Sequence, residues 1–327
     1  MSPNQSPAPR RTVRPLAAVA VLGICALTAT ACGSSDSGAA SGDTDTKGSR
    51  TVTDAAGTKV TVPADPNRVV VLSEMDLDSS LTLGVKPVGL TAGRGQKGAP
   101  AYLTDKAAGI EVVGAVTGPD IEKVVRAAPD VILAGQMTDT QVLSQLRKIA
   151  PTLVTVGDDK DWKKSLSLTG EVLGRANEAD AFLADYDTKV AALKADLGAE
   201  AGAEVSVARY SPQGSAVMQQ GVFISDVLND VGFTRPGIQA EKGEGHSTPI
   251  SEENLAELDG DWLFIGTLTS TGGSGVVGRL SAEPAYQQLG AVEAGHVTEI
   301  DGSMWTSLGG AEAAVNVLAD LRKAMVK

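Results

Sequence analysis

Apolar residues recur along the chain in two patterns, and together they predict alternating strands and helices. Short continuous apolar runs, such as residues 68–72 and 262–265, are typical of buried strands. A longer stretch with apolar residues every three to four positions, residues 309–325, is typical of an amphipathic helix. Strands that alternate with helices in this way indicate βα units and a largely parallel sheet.

The longest helical pattern lies near the middle of the chain, from residue 166 to residue 198. It contains no proline, and two of its glycines, Gly170 and Gly174, lie near its start, where a bend is tolerated. At about 1.5 Å per residue, a helix of this length spans roughly 48 Å. The pattern therefore predicts one long, rigid helix.

Similar segments lie on the two sides of this helix. Residues 121–135 and 252–266 each run from a helical pattern to an aspartate and then to an apolar strand that ends in glycine. One constant offset aligns three pairs of identical residues: Glu122 with Glu253, Asp130 with Asp261, and Gly135 with Gly266. We therefore predict two similar α/β lobes, residues 51–165 and 199–327, joined by the helix 166–198.

The first 31 residues have the pattern of an export signal. Three arginines precede an apolar run, residues 16–27, which is shorter than the ~20 residues that span a bilayer. Small residues then lead to Cys32, which resembles the cleavage and lipidation site of bacterial lipoproteins. An ordinary secretory signal with an incidental cysteine is the alternative. We expect residues 1–31 to be removed and residues 32–50, rich in small and polar residues, to form a flexible tether.

Composition narrows the function classes. The formal net charge of −12 argues against a nucleic-acid partner, which would require a basic surface. The two histidines, His246 and His296, lie far apart in the sequence, so a zinc or manganese site is not expected. The glycine-rich run 93–98 is followed by Pro100 and not by the helix that a dinucleotide site needs. We therefore expect no catalytic residues, no metal site and no cofactor.

The order of several segments resembles one family of binding proteins. Residues 51–90, with Arg68-Val-Val at a strand and Leu83-Gly-Val-Lys-Pro-Val-Gly89 after a helix, are similar to the opening of bacterial ABC-importer binding proteins. The resemblance is to the subfamily that binds iron siderophores, haem and cobalamin, and it continues through residues 121–122, 129–133, 149–151, 173–175, 250–253, 261–265 and Trp305. It implies two Rossmann-like α/β lobes joined by a single long α-helix, with the ligand cleft between the lobes.

Candidate ligand contacts lie where open α/β sheets bind ligands, on loops at the strand ends. In the second lobe they are Arg209, Tyr210 and Trp305, and in the first lobe they are Arg94 and Tyr102. Arg209 and Trp305 match positions at which siderophore binders place contacting arginine and tryptophan. Guanidinium groups supply charged donors, and aromatic rings supply apolar faces.

The resemblance implies capture of a ferric siderophore and no chemical step. The acidic composition favours a hydroxamate chelate, whereas Arg94 and Arg209 would suit anionic citrate or catecholate groups. Haem, with Tyr210 or His246 as axial ligand, and cobalamin are alternatives within the family. A secreted α/β enzyme is the alternative outside it.

The resemblance also implies a partner. One glutamate in each lobe, Glu122 and Glu253, matches the pair that contacts the two subunits of an ABC permease. The local alternative is stabilisation of a first helical turn, since each glutamate follows a capping residue, Asp120 or Ser251. We expect a monomer that is lipid-anchored through Cys32 at the extracytoplasmic face of the cell membrane.

Overall fold

The structure, a computed structural model, describes residues 48–115, 117–211, 214–243, 245–268 and 276–326. The predicted signal segment, Cys32 and the tether up to residue 47 lie outside the described residues. Among the described helices, none combines the length and the apolar character that a membrane crossing requires.

The described residues alternate between strands and helices, as the apolar patterns predict. The strands are β1 (Ser49–Thr53), β2 (Lys59–Pro63), β3 (Val69–Val71), β4 (Gly89–Ala92), β5 (Glu111–Ala115), β6 (Gly118–Pro119), β7 (Val131–Leu133), β8 (Thr152–Leu153), β9 (Val205–Ser211), β10 (Gly214–Val217), β11 (Trp262–Thr267) and β12 (Val297–Asp301). The helices are α1 (Glu74–Thr82), α2 (Ile121–Ala127), α3 (Thr140–Leu146), α4 (Trp162–Leu173), α5 (Ala176–Leu197), α6 (Phe223–Val231), α7 (Val276–Leu280), α8 (Pro284–Gln287), α9 (Gly290–Glu293), α10 (Gly302–Trp305) and α11 (Ala311–Met325). Short 3₁₀ turns occupy Ala101–Leu103, Gly198–Glu200, Gly237–Ala240 and Glu252–Leu258.

A β-hairpin, β1 with β2, precedes β3. Gly57 has a φ of 80°, a turn conformation that glycine adopts without strain. Residues 49 and 50, which belong to the predicted tether, pair within the hairpin. The guanidinium of Arg50 donates to the carbonyls of Ala64 and Val172, each at 2.6 Å, and so fastens the hairpin to the end of α4.

Each lobe contains its own mainly parallel sheet, as predicted. In the first lobe the strand order is β6-β5-β4-β3-β7-β8, and only β6 is antiparallel to its neighbour. In the second lobe the order is β10-β9-β11-β12, and only β10 is antiparallel. The loops at the carboxyl ends of the parallel strands therefore meet along one edge of each sheet.

The sequence repeat has a structural cause. In the first lobe the Asp130 carboxylate accepts a hydrogen bond from the backbone N–H of Asn67, at 2.8 Å, just before β3. In the second lobe the Asp261 carboxylate accepts one from Glu204, also at 2.8 Å, just before β9. Each aspartate thus lies just before one strand and binds the backbone at the start of the adjacent strand. This shared role explains why an aspartate is present in both repeats.

The predicted helix 166–198 is two helices, which corrects the expectation of one continuous rod. α4 ends at Gly174, whose φ of 70° is left-handed, and α5 begins two residues later. A Cβ at Gly174 would lie 2.9 Å from the Ala64 carbonyl oxygen, so only glycine fits this turn beside the hairpin. The single helix that joins the lobes is α5, with 22 residues.

The two lobes share one apolar core around this linking helix. The cluster includes Met75 of α1 and Leu166 of α4 on the first-lobe side, and Leu193 of α5 between the lobes. Phe264 of β11 and Val317 of α11 belong to the same cluster on the second-lobe side. Because relative motion of the lobes would expose this shared surface, the fold permits only a small hinge movement.

Candidate functional site

A cleft of about 340 Å³ lies between the lobes and is lined from both sides. Arg94 follows β4, Gln136 follows β7 and Lys160 follows β8 on the first-lobe wall. Arg209, near the end of β9, and Ser307, after α10, belong to the second-lobe wall. The carboxyl ends of the parallel strands in both lobes therefore face one another across the cleft, where open α/β sheets bind ligands.

The cleft is cationic although the protein is acidic. Arg94, Lys160 and Arg209 line it, and none of its described lining residues is an aspartate or glutamate. The Arg94 guanidinium lies 3.7 Å from the buried carboxylate of Glu74, which offsets part of its charge. The lining also contains four apolar side chains, those of Met218, Val222, Leu268 and Leu308. Burial lowers the pKa of the Arg209 guanidinium, and the positive charge of Arg94 lowers it further. Two arginines that oppose each other's charge across a cleft are stabilised by an anion between them.

Arg209 and Tyr210, both predicted ligand contacts, lie on opposite faces of the second sheet because adjacent strand residues alternate. Arg209 lines the cleft, and its Nη1 donates to the Thr306 carbonyl at 3.4 Å. Tyr210 packs on the other face, where the guanidinium of Arg279 lies 5.2 Å from its ring centre. The Tyr210 ring therefore packs away from the cleft in this structure, and its contact with a ligand stays a prediction.

Trp305 is also outside the cleft lining. Its side chain is 0% exposed, its ring stacks on Phe264 with ring centres 4.8 Å apart, and its Nε1 donates to Asp320 at 3.0 Å. The Trp305 ring therefore has a packing role in this structure, and its contact with a ligand stays a prediction. The cleft is lined instead by the three residues that follow it, 306–308.

Tyr102 lies at the contact between the lobes rather than in the cleft. Its hydroxyl donates to the buried carboxylate of Asp78 at 2.8 Å. Asp78 also accepts from the backbone N–H groups of Glu312 and Ala313, at 2.8 and 3.1 Å. These are the first free donors of α11, whose own N-cap residue is Gly310. A first-lobe carboxylate therefore caps a second-lobe helix, and Tyr102 supports that carboxylate.

Burial perturbs the ionisation of this pair. It raises the pKa of Asp78 to about 6, against the opposing effect of the hydrogen bonds from Glu312, Tyr102 and Ala313. Burial and the neighbouring carboxylate also raise the pKa of the Tyr102 hydroxyl well above its ordinary value. Tyr102 is accordingly a neutral donor to Asp78 at physiological pH.

A second buried carboxylate, Glu74, joins the two walls of the cleft. It is 2% exposed and accepts from the backbone N–H of Arg94 at 2.5 Å. Its other oxygen accepts from the Ser307 hydroxyl at 2.6 Å and from the Leu308 N–H at 3.3 Å. Glu74 thus holds a first-lobe cation and a second-lobe loop in fixed positions.

Sequence reasoning missed Glu74, Gln136 and Lys160, and it named His246 only as an alternative axial ligand for haem, although His246 lines the cleft. One sequence signal pointed to Glu74: acids at positions 74, 76 and 78 directly follow a buried apolar strand. Acidic side chains just after a buried strand are either exposed to solvent or buried with hydrogen-bond partners, and only the fold shows which of the two applies.

The cleft offers several hydrogen-bond donors and, among its described lining residues, one potential metal ligand, His246. Within the part of the chain that the structure describes, no three His, Cys, Asp or Glu side chains are grouped to hold a metal ion. The Nδ1 atom of His246 lies 2.8 Å from the Ser247 carbonyl oxygen, which can only accept, so Nδ1 carries the proton and Nε2 is the acceptor.

The two glutamates expected to contact a permease are both exposed. Glu122 is in the first turn of α2, where the Asp120 carboxylate caps the helix by accepting from the Lys123 N–H at 3.1 Å. Glu253 is in a 3₁₀ turn, and its cap residue, Ser251, makes no side-chain capping bond. Local capping therefore differs between the two lobes.

Comparison with known proteins identifies the family. A profile of periplasmic binding proteins matches residues 70–304. The chain belongs to the periplasmic binding protein family. Among curated members, it is 31% identical over 276 residues to the probable siderophore-binding lipoprotein YfiY of Bacillus subtilis, covering 81% of this chain and 84% of that protein. It is 32% identical over 248 residues to the iron(3+)-hydroxamate-binding protein FhuD of B. subtilis, covering 73% of this chain and 75% of FhuD.

A solved structure has a similar fold. The crystal structure of Staphylococcus aureus SirA complexed with staphyloferrin B matches with a TM-score of 0.72 and 27% identity. The match covers 84% of this chain and 97% of SirA. The predicted family and the two-lobed α/β fold are therefore confirmed, and the relatives named here are binding proteins rather than enzymes.

Proposed function

We propose that this protein captures a ferric siderophore outside the cytoplasm and delivers it to an ABC importer, without a chemical step of its own. The family and its siderophore-binding relatives support this proposal. The observation that carries it is the cleft between the lobes, whose described lining groups supply hydrogen-bond donors and positive charge, with His246 as a single potential metal ligand rather than a cluster. Such a lining suits iron that arrives already enclosed by an organic chelator.

The same lining supports an anionic chelate, with carboxylate or catecholate groups, over the neutral hydroxamate that the net charge favours. Surface charges are screened beyond about 8–10 Å at physiological salt, whereas Arg94, Lys160 and Arg209 would touch the ligand. Guanidinium groups also match carboxylates in a planar, two-bond geometry. Local charge therefore outweighs the formal net charge of −12.

Haem is the second candidate, because His246 lies in the cleft and presents an acceptor nitrogen that could ligate iron. Axial ligation of haem iron by Tyr210, the other candidate ligand, is disfavoured because that ring packs on the opposite face of the sheet. A haem site would also bury a large apolar ring system, which three cations in the lining do not favour.

A ligand panel tests this proposal. We expect ferric citrate and an anionic ferric catecholate to bind at least about tenfold more tightly than a neutral ferric trihydroxamate, and their affinity to fall as salt rises. Quenching of intrinsic fluorescence, or calorimetry on the purified protein, measures both. Equal or tighter binding of the hydroxamate would contradict the anionic class. Binding of haem alone would replace the siderophore proposal with the second candidate.

We also propose the arrangement of the protein at the membrane. Cys32 would carry the lipid anchor, in keeping with the lipoprotein name of YfiY. The monomer would rest on the permease dimer through Glu122 and Glu253, one exposed carboxylate in each lobe. Val125 lies one turn from Glu122. Its side chain is 53% exposed, the highest value for a large apolar residue in the described part of the chain. This exposed apolar side chain supports a protein contact at the Glu122 site.

A further inference from the structure

Lys160 has an unusual backbone for its residue type. Its φ is 54°, in the left-handed region that side chains with a Cβ rarely adopt. Among the described residues other than glycine, only Ala128 shares this property. Strained positions of this kind persist where the surrounding structure enforces them, and they concentrate at binding sites.

The surroundings of Lys160 show what enforces the conformation. The Lys160 N–H donates to the Gly157 carbonyl at 3.0 Å and closes a tight turn after β8. The next residue, Asp161, caps α4 by accepting from the N–H groups of Lys163 and Lys164, at 2.9 and 3.1 Å. The chain must therefore reverse within one residue, and that residue lines the cleft.

The charge of Lys160 is left available to a ligand. Two acidic neighbours, Asp159 and Asp161, pair with Lys164 at 2.6 and 3.3 Å instead. No ion pair joins Lys160 to another residue in the described part of the chain. A sequence optimised for stability alone would place Gly or Asn at a left-handed position. A lysine there indicates that the ammonium group has a use.

We propose that Lys160 is a specificity-determining residue that selects ligands by negative charge. This inference rests on the proposed function and deepens it. The Lys160 ammonium donates to an anionic oxygen of the chelate from the first-lobe wall, while Arg209 binds from the second-lobe wall. The ligand is thereby held between cations of both lobes, and chelates without negative charge gain nothing from Lys160.

The substitution Lys160→Asn separates the two roles of this residue. Asparagine tolerates the left-handed backbone but carries no charge, so the melting temperature should stay the same or rise. The affinity for ferric citrate should fall about tenfold or more, with a weaker dependence on salt. The affinity for a neutral ferric trihydroxamate should change less than about twofold, and Lys160→Arg should retain most of the ferric citrate affinity.

Two control variants isolate the cause. Ala128→Gly relaxes the other left-handed residue, away from the cleft, and should leave both affinities unchanged. Lys59→Asn removes an exposed lysine from the hairpin and should also leave both unchanged. Equal losses for the anionic and neutral chelates in Lys160→Asn, or no loss for either, would overturn the role of Lys160 while leaving the proposed function intact. Failure of the wild-type protein to bind any ferric chelate would overturn the proposed function itself.

Discussion

At the scale of the residue, side-chain direction decides which candidates can reach a ligand. Arg209 and Tyr210 are adjacent in β9, yet one lines the cleft and the other packs behind the sheet. Trp305 and Ser307 differ in the same way, since the ring is buried while the serine two residues later lines the cleft. Arg94 and Arg209, predicted from the sequence, line the cleft, and the local backbone decides which residue of each loop does so.

The first of these pairs gives a direct prediction. Arg209→Gln should lower the affinity for an anionic ferric chelate roughly 10- to 100-fold, since it removes a charged hydrogen bond of about 1.5–3 kcal/mol. Tyr210→Phe should leave that affinity within about twofold, because its ring faces away from the cleft. Fluorescence or calorimetric titration of both variants tests the expectation. A larger loss in Tyr210→Phe than in Arg209→Gln would contradict this assignment of the two faces.

At the scale of the element, α1 joins the lobes through its buried acids. Asp78 caps α11 across the lobe boundary, and Glu74 ties Arg94 to the loop at Ser307. The N-cap position of α11 is Gly310, where a side chain would occupy the space that Asp78 fills. Helix α11 thus relies on a carboxylate from the opposite lobe.

The prediction at this scale concerns Gly310→Ala. A Cβ there would lie 2.7 Å from the Asp78 Cγ, so the interlobe cap must shift and the free energy of unfolding should fall by about 1–3 kcal/mol. Gly118→Ala is the matched control, because no atom lies within 4 Å of its Cβ position. Chemical denaturation of both variants measures the difference. Wild-type stability in Gly310→Ala would show that α11 does not need Asp78.

At the scale of the whole molecule, the shared core and the interlobe cap limit how far the cleft can close. Ligand binding would then change the distance between the outer surfaces of the lobes only slightly. A permease that contacts both lobes through Glu122 and Glu253 would meet nearly the same pair of carboxylates in either state. Selective delivery would therefore depend on small shifts of these two residues rather than on large domain motion.

The docking proposal predicts a separation of binding from transport. Glu122→Ala and Glu253→Ala, alone and together, should leave ligand affinity within about twofold of wild type while reducing cellular uptake, most strongly in the double variant. Titration and uptake of the iron-loaded ligand test the two parts. Glu178→Ala is the control, since Glu178 is an exposed acid in the first turn of α5 but lies on the linking helix. Full uptake in the double variant would leave these glutamates with a local helix-stabilising role only.

The sequence by itself determined the secondary structure, the two repeats and the family. These features depend on short-range periodicity and on residues such as Asp130 and Asp261, whose partners occupy equivalent places in each lobe. The spacing of apolar residues and the positions of turn residues are patterns over a few neighbouring positions, so they can be recognised from the sequence without the three-dimensional structure.

Tertiary structure decided the surroundings of the break in the central helix and the composition of the cleft. Only glycine fits at Gly174, where α4 ends, because Ala64 and Arg50, more than a hundred positions earlier, occupy the space beside it. Lys160 reaches the cleft because a turn and a helix cap enforce its backbone, and Trp305 is excluded because Phe264 and Asp320 bury it. Such contacts join residues that are remote in sequence, and no local pattern encodes which of them will meet.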